Sequence, residues 1–197
     1  LALASVSTIS LWANTQVAAC GSDEYLQVDD ATGLEILKAA VNCSDGGNVV
    51  AVWSGDVTLE SPVLVESGTF LTVLGQGGGG AVARGDFQNR LFEVSPGAEL
   101  TLSKLKLVEG SAHQGGAICS NGSLTLHTCE FVGNVATTHG GAKGGAVYCE
   151  GSYGSNVEVN ITNCHFIKNS AVVAGGALYG GNATKLNISG CTFEGNS

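Results

Sequence analysis

Two tetrapeptides recur in a fixed order through the second half of the chain, and no other feature limits its fold as tightly. Gly115-Gly116-Ala117-Ile118, Gly144-Gly145-Ala146-Val147 and Gly175-Gly176-Ala177-Leu178 lie 29 and 31 residues apart. Phe131-Val132-Gly133-Asn134, Phe166-Ile167-Lys168-Asn169 and Phe193-Glu194-Gly195-Asn196 alternate with them at spacings of 35 and 27. Two residues before each Phe stands Cys129, Cys164 or Cys191, and before each Cys runs an alternating segment: Leu124-Thr125-Leu126, Val159-Asn160-Ile161 or Leu186-Asn187-Ile188. Unequal spacing with constant internal order means that the loops vary while a frame repeats. Three short apolar runs per unit, without helical period, fit one coil of a parallel β-helix. A degenerate unit, from Leu100 to Gly110, precedes these, with Leu105 in place of the Cys, Leu107 in place of the Phe and Gly110 in place of the Asn.

The fold class expected is therefore all-β: a right-handed parallel β-helix of about three strands per coil, with handedness taken from the general crossover rule. Alternate residues point inward and stack about 4.8 Å apart along the axis. Phe131, Phe166 and Phe193 should form an internal aromatic column. Asn134, Asn169 and Asn196 should occupy a corner, adopt a left-handed conformation and bond along their own column. Each Gly-Gly pair makes the sharp corner, and the following Ala fills a cramped inner site. Cys129, Cys164 and Cys191 read as a reduced, buried ladder, because parallel Cβ vectors make a disulfide awkward there. Cys119 and Cys149 are a separate candidate pair.

The first half should close one end of this solenoid. Residues 32–42 read as a helix, with Thr32 and Glu35 at capping-box spacing and Leu34, Leu37 and Val41 on one face. Apolar runs follow at 49–53, 57–59, 63–65 and 70–74, separated by Ser-Gly and Ser-Pro turns. The organisation expected is a signal-sequence remnant or leading strand over 1–20, a cap over 21–48, and a β-helix over 49–197 whose repeats are clearest at 115–197. Cys20 and Cys43 flank the helix as a candidate disulfide. Leu at position 1 and the stop at Ser197 read as a fragment of something longer.

Composition sets the remaining bounds. Glycine is 30 of 197 residues without the strict period of collagen, while 44% hydrophobic and 13% charged residues exclude a disordered linker. A net charge of −9 with scattered Lys and Arg argues against nucleic acid as a partner. No apolar run approaches the roughly 20 residues of a bilayer span. Seven cysteines and sequons at Asn42, Asn121, Asn160, Asn182 and Asn187 point to a secreted or cell-surface chain, with these five asparagines as candidate glycosylation sites.

The alternation of Gly-Gly-Ala-(Ile/Val/Leu) with Phe-x-x-Asn resembles the chlamydial polymorphic membrane protein repeat, over roughly 115–197 with a weaker extension back to about 91. That resemblance implies a pectin-lyase-like β-helical passenger on the outer membrane or cell surface, acting in adhesion to a host protein or glycan, with its tetrapeptides implicated in binding. The same repeat occurs in large secreted proteins of eukaryotes. On this view the chain needs no cofactor and no metal, and contains no catalytic set.

The rival expectation is a carbohydrate-active β-helix: a polysaccharide lyase, hydrolase or uronate epimerase. Such enzymes need clustered carboxylates with a basic residue nearby. Every Asp lies at or before Asp86, and the repeat region contains neither Asp nor Arg. Arg84, Asp86 and Arg90 are the best local candidates, and Arg84-Gly85-Asp86 is also an integrin-type tripeptide. His113, His127, His139 and His165 fall in different repeat phases, so they should not form a metal column. Gly75 to Gly80 lacks the Lys-Ser/Thr ending of a phosphate loop.

Overall fold

The computed structural model describes residues 25–42, 47–76, 80–137, 140–151, 157–182 and 184–197. It is a right-handed parallel β-solenoid of about six turns. The longest sheet takes one strand from each turn: Leu26–Val28, Gly47–Trp53, Thr69–Gly75, Glu99–Ser103, Ser123–His127, Val157–Thr162 and Thr184–Ser189. A second sheet, called here the aromatic sheet, stacks Asp56–Thr58, Val82–Arg84, Lys106–Val108, Glu130–Val132, His165–Ile167 and Thr192–Glu194. A third stacks Val63–Val65, Phe92–Val94, Ile118–Ser120, Val147–Cys149 and Leu178–Gly180. Every pairing is parallel between neighbouring turns.

The first two complete coils have three strands each. In the repeat region a fourth, two-residue strand enters each turn, at Ser111–Ala112, Val135–Ala136 and Ser170–Ala171. It carries the chain from the Phe-x-x-Asn corner towards the next Gly-Gly pair.

Alternation along each strand decides what is buried. On the long sheet Leu100, Leu102, Leu124, Leu126, Val159 and Ile161 face inward, while Thr101, Thr125 and Asn160 between them face out in one column. The interior is thus a set of apolar columns running along the axis, closed at the N-terminal end by the helix Ala31–Val41. Leu34, Leu37 and Val41 are buried on one helical face as the sequence indicates. Gly33 lies so close to Gln27 and Val28 that a Cβ there would strike backbone.

The helix cap differs from expectation. Asp30, not Thr32, is the N-cap: its backbone is extended and its Oδ1 accepts from the Gly33 N–H at 2.9 Å. Glu35 instead pairs with Lys38, whose Nζ also reaches Ser61 Oγ at 2.9 Å and ties the helix to the first coil. Cys20 lies outside the described residues, as does Cys43.

Candidate functional site

The repeat residues assemble into columns because the strands pair without slippage. Phe131 stacks on Phe166 at 4.8 Å between ring centroids, and Phe166 on Phe193 at 4.9 Å, with rings within 4° of parallel. Leu107, Ala83 and Val57 continue that column towards the N-terminal end. Ala117, Ala146 and Ala177 are buried. At the corners before them Gly115, Gly144 and Gly175 all take φ between 60° and 66°. Gly116, Gly145 and Gly176 have no room for a side chain: a Cβ on each would enter the backbone of the following coil or chain end.

The asparagines form a ladder, and their backbone differs from expectation. Asn134 Nδ2 donates to Asn169 Oδ1 at 2.9 Å, and Asn169 Nδ2 donates to Asn196 Oδ1 at 2.9 Å. Each amide also bonds a backbone carbonyl of the preceding coil, Leu107, Phe131 or Phe166. The left-handed residue is the one before each Asn, and before Gly110 in the degenerate unit: Glu109, Gly133, Lys168 and Gly195 have φ between 53° and 63°. The tight turn spends its positive φ one step earlier, which leaves the Asn side chain free to point inward. Gly110 closes the ladder, its N–H donating to Asn134 Oδ1 at 2.8 Å. A second left-handed column, Lys104, Thr128, Asn163 and Gly190, precedes the Leu105 and Cys positions. Since a left-handed L-residue costs roughly 1–2 kcal/mol, Lys168→Gly should stabilise the fold by about 1 kcal/mol after the added chain entropy of glycine is subtracted. Urea unfolding of the two proteins checks this.

Cys129, Cys164 and Cys191 share one column as free thiols. The Cys129 N–H donates to Cys164 Sγ and the Cys164 N–H to Cys191 Sγ, both at 3.4 Å. The bond shared with Cys164, together with burial, pushes the Cys129 thiol well up from its ordinary value. Cys129 and Cys164 are buried and pack as small apolar groups. The Cys119–Cys149 pairing fails on register: Cys119 stands opposite Tyr148, and Cys149 opposite Ser120. One residue of offset puts them on opposite faces of the third sheet. Outside that sheet, Tyr148 stacks on Tyr179 at 5.4 Å, its hydroxyl donates to Glu150, and Lys143 lies over the Tyr179 ring.

The rival catalytic residues do not converge. Arg84 donates from Nη2 to Asp56 at 2.8 Å and from Nη1 to Glu109 at 2.7 Å, and these two carboxylates hold its guanidinium more firmly protonated than usual. Arg90 is engaged by Glu93 and by the carbonyls of Gln114 and Gly115. Asp86 sits exposed on the following turn with φ of 48°. Arg84 is therefore held flat between coils rather than presented with Asp86 as an integrin-type tripeptide. His127 Nδ1 pairs with Thr162 Oγ1 and His165 Nδ1 with Thr192 Oγ1 on the exposed surface. His113 is exposed, and His139 lies outside the described residues. Among the described residues no group of three or more His, Cys, Asp and Glu is arranged to hold a metal ion.

Of the sequons, Asn42, Asn182 and Asn187 are exposed, and Asn121 and Asn160 are half-buried. Asn187 Nδ2 donates to Asn160 Oδ1 at 2.8 Å on the outer face of the long sheet. Thr72, Thr101 and Thr125 share that outer column.

Sequence reasoning missed a groove of about 430 Å³ on the outside of the aromatic sheet, lined by Val82, Arg84, Phe87, Lys106, Val108 and Val132 among others. Its parts come from three coils and one loop, and nothing in the repeat marks the loop. The chain matches no protein-family model, no curated protein and no solved structure. Among the described residues, no helix is long and apolar enough to cross a membrane.

Proposed function

We propose that this chain is a secreted or cell-surface recognition module of polymorphic-membrane-protein type, which works in adhesion or as a structural element and carries out no catalysis. The observation that carries this reading is the separation of frame from surface. The repeated Ala, Phe and Asn side chains of the inner coils are buried. The tetrapeptides therefore build the solenoid, and recognition falls to the outward columns and the loops between them. Such a stack presents an extended face whose pattern can vary from coil to coil without disturbing the core. The partner class is a cell-surface protein or glycan. Arg84 and Arg90 are committed to carboxylates and carbonyls within the fold, which supports structural rather than catalytic roles for them.

The test joins two assays on the purified chain. Saturable binding to cultured cells, lost when outward residues are changed and kept when the fold is intact by circular dichroism, is the expected result. No turnover of pectin, polygalacturonate or alginate is expected, with or without calcium. Turnover abolished by Asp86→Asn would overturn the proposal.

A further inference from the structure

The outer face of the third sheet carries a pair of rings that the solenoid frame does not require. The middle residues of its strands stack outward in one column: Leu64, Glu93, Cys119, Tyr148 and Tyr179. The first three of these share no side-chain type, so the two tyrosines are not a demand of the repeat. Strand register nevertheless sets Tyr148 opposite Tyr179, with ring centroids 5.4 Å apart and planes within 5° of parallel. The pairs Val147–Leu178 and Cys149–Gly180 on either side hold that alignment.

The two phenols have different partners, and the difference is chemical. Tyr148 is 4% exposed, and its hydroxyl donates to the Glu150 carboxylate. Burial, together with that carboxylate, pushes the Tyr148 hydroxyl up from its ordinary value, so it keeps its proton. A phenol that loses an electron becomes a strong acid, and Glu150 is in place to take the proton. Tyr179 is half-buried and gives the pair its contact with solvent. Its hydroxyl oxygen accepts from Lys143 Nζ at 3.0 Å, and that ammonium lies 4.5 Å from the ring centroid.

We propose that Tyr148 and Tyr179 form a modification site, where a one-electron oxidant of the kind a haem peroxidase makes from hydrogen peroxide joins the two rings covalently. Each phenol gives up one electron and its hydroxyl proton, that of Tyr148 passing to Glu150, and two phenoxyl radicals result. They couple through ring carbons ortho to the oxygens. A carbon–carbon bond forms, the two ortho C–H bonds break, and those protons return to the phenol oxygens. In sum two hydrogen atoms leave the protein, and one hydrogen peroxide is reduced to two waters. Stacking supplies the encounter, because two radicals held in register on one chain need no diffusion to meet. The product staples one coil to the next on the outer surface, a property separate from the recognition reading above.

The experiment treats the dilute whole chain with a haem peroxidase and hydrogen peroxide. A parallel arm uses photo-oxidised ruthenium tris-bipyridyl, a smaller one-electron oxidant. Dityrosine fluorescence follows the reaction, and mass spectrometry reads the tryptic digest. Cleavage after Lys143, Lys168 and Lys185 puts Tyr148 and Tyr179 on separate peptides, 144–168 and 169–185. The expected product is these two peptides joined, two hydrogens lighter than their sum, with fragment ions placing the bond at Tyr148 and Tyr179. Tyr148→Phe and Tyr179→Phe keep the rings and should each lower that product by about tenfold or more. Tyr25→Phe, at a residue 65% exposed, should leave it unchanged. Glu150→Gln should slow the joining by about tenfold, and an unchanged rate would overturn the part given to Glu150. A bond that maps to Tyr153 would overturn the site, as would a thioether between Tyr148 and Cys119. So would coupling between separate molecules alone, or no product with either oxidant. The map of the parent protein decides these outcomes even where a variant fails to fold.

Discussion

Phe166→Ala should lower the stability of the solenoid by about 3–5 kcal/mol, the range for truncating a fully buried aromatic. The side chain is completely buried, and its ring lies between two parallel rings at 4.8 and 4.9 Å. Removing it opens a cavity that neither Phe131 nor Phe193 can fill, since strand pairing fixes both coils in place. The loss also cuts coupling on both sides of one coil, and a solenoid depends on such nearest-neighbour terms. Phe193 provides the internal comparison: at 49% exposure it has a partner on one face, and Phe193→Ala should cost clearly less. Phe166→Leu should also cost less, because Leu107 already occupies this column one coil below Phe131. Urea unfolding followed by circular dichroism and by intrinsic fluorescence gives the values. A Phe166→Ala penalty below that of Phe193→Ala would mean that the column does not hold the coils together.

The frame was legible in the sequence because a solenoid stacks like on like. Ala over Ala, Phe over Phe and Asn over Asn leave a spaced copy of the same letters in the chain. What escaped were features set by single-residue offsets. Lys168 and Glu109 hide the left-handed column, since neither residue type advertises a positive φ, and only Gly133 and Gly195 mark it. Cys119 stands four residues after Gly115 and Cys149 five after Gly144, and that one step of register puts them on opposite faces. At the helix start, Thr32 with Glu35 imitates a capping box, but the Asp30 carboxylate reaches the Gly33 N–H first. The groove was illegible for a different reason. Its lining comes from residues of three coils and from Phe87 on a non-repeating turn. Repetition reports the inside of this molecule and leaves unmarked the positions where the repeat is free to vary.

Asn169→Asp should destabilise the fold by about 3–5 kcal/mol at neutral pH, as expected when a buried charge is left without a partner. Asn169 is completely buried and uses both ends of its amide. Oδ1 accepts from the Asn134 N–H at 3.0 Å and from Asn134 Nδ2 at 2.9 Å. Nδ2 donates to the Phe131 carbonyl at 3.0 Å and to Asn196 Oδ1 at 2.9 Å. A carboxylate keeps the first pair of bonds and turns the second into a clash of acceptors. Protonation returns one donor, so the introduced acid must hold its proton more tightly when folded than when unfolded, and its folded pKa is raised. The sign follows directly: between the unfolded value, about 3.9, and the raised folded value, the folded state binds more protons, so stability falls as pH rises. Relative to the parent, the deficit is smallest below about pH 4, grows through that window and levels off above the folded pKa. Asn169→Ala has no such titration, and its penalty should stay constant with pH while its stranded partners cost about 1–3 kcal/mol. Chemical unfolding of the three proteins at pH 4 and pH 7 tests both halves. An Asp deficit equal at the two pH values would mean that water reaches the ladder, and that the amides are not the closed internal chain their geometry describes.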